Sequence, residues 1–179
     1  MILADAFGGM AFAIACRVLG LRDLGAAISP FNAFLILTGI ETLALRMQKH
    51  SENALAVAKY LENHDKVSWV RYAGLESDSD YCLQQKYCPK GAGAVFTFGV
   101  KGGYEAGKSV VSAVELFSHL ANIGDTRSLI IHPASTTHRQ LTDEQRENAG
   151  AGADVMRLSV GIEDATDLIA DLEQALAKV

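Results

Sequence analysis

Residues 155–176 read Val155-Met156-Arg157-Leu158-Ser159-Val160-Gly161-Ile162-Glu163-Asp164, then Ala165-Thr166-Asp167-Leu168-Ile169-Ala170-Asp171-Leu172-Glu173-Gln174-Ala175-Leu176. The run from Val155 to Val160 is apolar apart from Arg157 and Ser159 and has β-like character. The residues beyond Glu163 predict a helix. Asp164 is placed as its N-cap, Asp167 favours the positive end of its dipole, and Leu168, Ile169, Leu172, Ala175 and Leu176 form one apolar stripe.

The same alternation of strand and helix extends back through the chain. β-like runs occupy Val67 to Tyr72, Val95 to Val100 and Leu129 to His132, and helical segments run from about Asp78 to Tyr87 and from Tyr104 to Phe117. Before them, Pro30 to about Asn63 is helical almost throughout. Pro30 suits a first turn, Ala54, Val57, Ala58 and Leu61 make a stripe, and Ser51 is a candidate N-cap if the stretch is two helices rather than one. The pattern predicts an α+β fold: a small, mostly antiparallel sheet covered by helices on one face and preceded by a long helix.

With 179 residues, 49% hydrophobic and 21% charged, the chain has length for one sizeable core. A net charge of -5 with interspersed signs offers no basic stripe, so nucleic acid is not an expected partner. Cys16, Cys82 and Cys88 are an odd set without CxxC spacing, which points to neither a disulfide framework nor a zinc site. Cys82 and Cys88 are expected as half-buried packing thiols, and the compartment as a reducing cytoplasm. Asp5 and Arg17 interrupt the apolar start and no basic residue precedes it, so neither export nor a membrane span is expected.

No nucleophile elbow, phosphate loop or metal-histidine pair is present. Gly91-Ala92-Gly93 reads as a turn admitting positive φ ahead of a strand. The stretch from Gly124 to His138 is dense in hydroxyls and holds His132 and His138, which suits either a polar pocket rim or a loop satisfying its own backbone. Arg157 is a guanidinium inside an apolar strand. It is either a fork for a carboxylate or an outward-facing residue on an edge strand.

Several long motifs together resemble one family. Ser29-Pro30-Phe31-Asn32-Ala33-Phe34, Gly39-Ile40-Glu41-Thr42-Leu43, Arg46-Met47 and His50-Ser51-Glu52-Asn53-Ala54 are similar to the O-acetylhomoserine sulfhydrylases of the Cys/Met-metabolism pyridoxal-phosphate family. So are Gly91-Ala92-Gly93-Ala94-Val95-Phe96-Thr97-Phe98-Gly99, the run from Phe117 to Asp125 leading into Ser128 and His132-Pro133-Ala134-Ser135-Thr136-Thr137-His138, and Arg157-Leu158-Ser159-Val160-Gly161-Ile162-Glu163-Asp164. The resemblance covers the chain from about Phe12 to its end.

It implies a fold-type I enzyme in which a large domain holds pyridoxal phosphate and a smaller C-terminal α+β domain closes one wall of the active site. Residues 1–25 are then a remnant of the connection from the large domain, and 26–179 the C-terminal domain that binds the substrate carboxylate. By the same resemblance Arg157 and Ser128 bind the α-carboxylate of an amino-acid substrate, Asp23 lies near the site entrance, and the parent is a homotetramer. The Schiff-base lysine and phosphate-gripping motifs are absent from this sequence, so the chain alone is expected to hold no pyridoxal phosphate and to be inactive, its partner being the large domain. Three alternatives accompany this reading. The chain could be a non-catalytic interaction module pairing with a separately encoded large domain. Its parent could act on another homoserine or serine ester or on cystathionine. Or it could be an independent enzyme using the loop from His132 to His138.

Overall fold

The computed structural model describes residues 28–179, and the chain divides into two compact units, Met1–Leu43 and Ala44–Val179. In the first, helix α1 (Pro30–Glu41) starts where Ser29 accepts a hydrogen bond from Asn32 N at 3.2 Å, with Pro30 in the first turn. Its apolar side chains point to every side, and none of its residues is buried. The long helical stretch does break in two, but at Thr42, where φ is -103° and ψ 3°, and not at Ser51. Ser51 sits inside α2 (Leu43–Glu62), and its hydroxyl bonds back to Met47 O at 2.9 Å instead of capping a new helix.

In the second unit five strands form one sheet in the order β1-β2-β5-β4-β3, from β1 (Val67–Arg71), β2 (Val95–Val100), β3 (Ser118–His119), β4 (Leu129–Ile131) and β5 (Val155–Ser159). Three of the pairings are antiparallel and only β3 with β4 is parallel, so the expected mostly antiparallel α+β sheet is what forms. Phe96 and Phe98 of β2 lie beside Leu158 and Met156 of β5 in register. With Ile130 they meet the buried stripes of α2, of α4 (Gly103–Ala113) and of α6 (Ala165–Leu176) in one core. Because side chains alternate along a strand, Thr97 and Arg157, which pair in register, fall on the opposite face.

The remaining helices are short. The segment read as helical from Asp78 narrows to α3 (Tyr81–Tyr87), with Asp78 and Asp80 both ion-paired to Arg71. The one read to Phe117 ends at Ala113, because the next amides turn to a side chain. The carboxylate of Asp171 on α6 accepts from the backbone N–H groups of Glu115, Leu116 and Phe117 at 2.8, 2.9 and 3.0 Å. Strand β3 and helix α5 (Asp143–Asn148) were not expected, although α5 carries a capping box between Thr142 and Gln145 that the sequence displays. Gly91 and Gly93 have φ of 143° and 78°, as a turn ahead of β2 requires. Among the described residues no helix is long and apolar enough to cross a membrane.

His132 belongs to this framework. It is buried, its Nε2 lies 2.9 Å from Ala153 O and its Nδ1 2.9 Å from Ser135 Oγ, so the ring donates through Nε2 and accepts at Nδ1. Gly107 of α4 makes room for it, since a Cβ there would come within 2.7 Å of the ring. Burial outweighs the hydrogen bond to Ala153 O and holds its pKa below the usual 6.5. The unfolded chain therefore binds a proton before the folded one does. Stability is expected to fall as pH drops from about 6.5 toward the folded pKa. An NMR titration of the His132 ring proton should give a midpoint below 6.5; one at or above it refutes the assignment.

A candidate carboxylate-binding site

Strand β5 lies between β2 and β4, so Arg157 is not on an edge strand and the expectation of an outward-facing edge residue fails. Its neighbours across the sheet are Thr97 and Ile131. On the face away from the helices it shares a shallow indentation with Leu120, Asn122, Leu129 and Ser159. Arg157 is half-buried, and among the described residues no ion pair or hydrogen bond engages its guanidinium. Asp125, in the connection between β3 and β4, is held by Arg127 instead, whose backbone N–H donates at 3.0 Å and lowers the carboxyl pKa. A partly desolvated guanidinium with five donors and no internal acceptor has the hydrogen-bonding capacity to receive an anion.

Ser128 stands elsewhere. It is fully buried and does not line the indentation. Its hydroxyl donates to Glu163 Oε2 at 2.8 Å and accepts from Gly161 N at 2.7 Å, while its own N–H donates to Glu163 Oε1 at 2.7 Å. These bonds fasten the turn after β5 to the start of β4. Replacing Ser128 by alanine leaves the Gly161 amide unpaired and is expected to lower stability by about 1–2 kcal/mol. Urea unfolding of the variant measures it, and an unchanged midpoint would show that the bridge contributes nothing.

Asp23 and Cys16 lie outside the described residues. The hydroxyl of Thr136 donates to His132 O at 2.8 Å in the short helical turn Pro133–Ser135, and that of Ser135 donates to the His132 ring, so this loop satisfies its own polar groups. Cys82 and Cys88 are both exposed, not half-buried, because α3 turns only Gln84 inward. Two residues of the indentation escaped the sequence reading. Ser159 could have been found from strand periodicity, being two residues from Arg157; Asn122 carries no local signal. A cleft of about 1230 Å³ between the first turns of α2 and the 73–93 segment is mainly apolar and does not include Arg157.

Residues 5–177 match the family described as Cys/Met metabolism PLP-dependent enzyme. The chain belongs to that family. A homocysteine synthase of Schizosaccharomyces pombe is 52% identical over 176 residues, covering 98% of this chain and 41% of the relative. An O-acetyl-L-homoserine sulfhydrylase of Leptospira meyeri is 53% identical over 178 residues, covering 98% and 40%. Among solved structures, an O-acetylhomoserine (thiol)-lyase of Campylobacter jejuni that carries an N'-pyridoxyl-lysine-5'-monophosphate superposes with a TM-score of 0.81 at 45% identity, over 93% of this chain and 40% of that one. The chain thus spans about two fifths of the length of the Cys/Met-metabolism relatives it matches.

The described residues do not compose a pyridoxal-phosphate site. A lysine that forms a Schiff base is activated by desolvation or a neighbouring cation. Every lysine except Lys49 is exposed, and Lys49 does not line the indentation.

Proposed function

We propose that the chain is the C-terminal, substrate-carboxylate-binding part of an O-acetylhomoserine sulfhydrylase, an enzyme that makes homocysteine from O-acetylhomoserine and sulfide with pyridoxal phosphate held by a preceding large domain. The half-buried Arg157, unpaired among the described residues, is the observation that carries the reading. Two parallel N–H···O bonds from a guanidinium fix both the position of a carboxylate and the rotation about the adjacent α-carbon. That orientation is the contribution of this chain; the cofactor chemistry belongs to the partner domain. In this reading Ser128 supports the site through Glu163, and Asp23 stands near the entrance. The parent is a homotetramer, and the 179 residues alone neither retain pyridoxal phosphate nor turn over.

A chimera tests the proposal: this chain joined to the part of the Leptospira meyeri protein that precedes the matched region, assayed for homocysteine formation from O-acetylhomoserine and sulfide. Turnover is expected, with O-succinylhomoserine, O-acetylserine and cystathionine as poorer substrates. An inactive chimera that nevertheless binds pyridoxal phosphate would defeat the assignment, and a preference for another of these substrates would transfer the chain to that activity.

A further inference from the structure

Ser159 is 4% exposed, yet its hydroxyl has no hydrogen-bond partner. Its cross-strand neighbours are Val95 and Leu129, neither of which has a polar side chain to offer. A buried hydroxyl in that condition is a net cost to the fold, and an alanine would remove the cost without opening a sizeable void. The same strand supplies the complementary deficit two residues earlier. Arg157 has donors without an acceptor, and both residues line the one indentation with Asn122.

The chemistry of the two groups interlocks. A guanidinium has five N–H donors, and a bidentate carboxylate uses two of them. We propose that Ser159 is a positioning residue for Arg157: once a carboxylate is bound, its Oγ, unpartnered in this structure, accepts one of the remaining N–H groups and fixes the plane of the fork while the other edge holds the carboxylate. The inference rests on the reading of Arg157 as a carboxylate grip and extends it to the residue that aims it. It also accounts for a polar atom kept inside an apolar part of the sheet, where it lowers stability unless it is used.

The test uses the isotope-labelled 179-residue chain, titrated with sodium acetate against sodium chloride at equal ionic strength, with the Nε–Hε resonance of Arg157 followed by NMR and the melting temperature measured in parallel. In the wild-type chain acetate shifts and sharpens that resonance saturably. With Ser159→Ala, acetate binding is expected to weaken by roughly three- to tenfold, the resonance to stay broad, and the melting temperature to be equal or higher. A variant with wild-type acetate affinity and line shape overturns the inference, as does a lowered melting temperature, which would mean that the hydroxyl has an internal partner. A wild-type resonance indifferent to acetate overturns the carboxylate grip itself, a failure distinguishable from that of Ser159.

Discussion

In the chimera with the Leptospira meyeri large domain, Arg157→Ala is expected to lower kcat/KM for O-acetylhomoserine by about 10²–10³, the equivalent of roughly 3–4 kcal/mol. Removing the guanidinium leaves the substrate carboxylate in a partly desolvated place with no counter-charge, and such losses exceed those of an exposed pair. Arg157→Lys keeps the charge but gives up the planar fork, so it should fall between the two. If the grip serves only to hold the substrate, KM alone should rise; if, as proposed, it also sets the α-carbon torsion, kcat should fall with it. Stability should scarcely change, since the guanidinium makes no internal bond among the described residues. A loss of less than threefold in steady-state assays would remove Arg157 from the site.

The largest stability effect is expected at Asp171. Its carboxylate is buried and receives three consecutive backbone N–H groups and Gln174 Nε2 at 3.0 Å, while Gln174 also donates to Ala113 O at 2.7 Å. Burial by itself would raise the pKa of this group, yet the hydrogen bonds from the amides of Glu115, Phe117 and Leu116 outweigh it and hold the carboxyl below its usual 3.8. Asp171→Ala strands those amides where only part of them can reach water. The expected cost is about 3 kcal/mol, or a fall in Tm of roughly 6–12 °C for a chain of this size. Asp171→Asn offers one acceptor oxygen in place of two and should cost nearly as much.

The acid dependence has its origin in the same bonds. With the folded pKa below the unfolded one, the unfolded state binds the proton first as pH falls. The stabilisation is complete above about pH 4 and disappears as pH drops through the folded value. Calorimetry of the wild type and the alanine variant should therefore show a Tm gap that is wide at neutral pH and closes in strong acid. A gap that is constant with pH, or under 1 kcal/mol, would rule the anchor out.

Much of the architecture is legible in residue spacing. The capped stripe from Asp164 to Leu176 and the apolar runs at Val95 and Val155 report burial directly, since the core is what imposes their periodicity. Asp171 shows the limit of that signal. Within the helix it reads as one more acid on a solvated face, and its role depends on amides 54 to 56 residues earlier in the chain. The site divides in the same way. Arg157 is conspicuous because a charge interrupts a strand, while Asn122 becomes its neighbour only through the path of the connection leading to β4. The hydroxyl of Ser128 resembles a ligand group in the sequence and is a structural bridge because Glu163, 35 residues later, folds back onto it.

The order β1-β2-β5-β4-β3 has a consequence for biosynthesis. The middle strand is the last one synthesised, and β2 and β4 have no partnership with each other until β5 comes between them. A ribosome that has delivered residues 28–150 has produced an antiparallel β1–β2 pair and a parallel β3–β4 pair that cannot yet join, their apolar faces both waiting for Met156 and Leu158. The sheet closes only once β5 has left the ribosome. A nascent chain stalled or cut just before Val155 would thus forfeit the centre of the fold, not its edge, and the interval before β5 emerges is when chaperones would have most to hold.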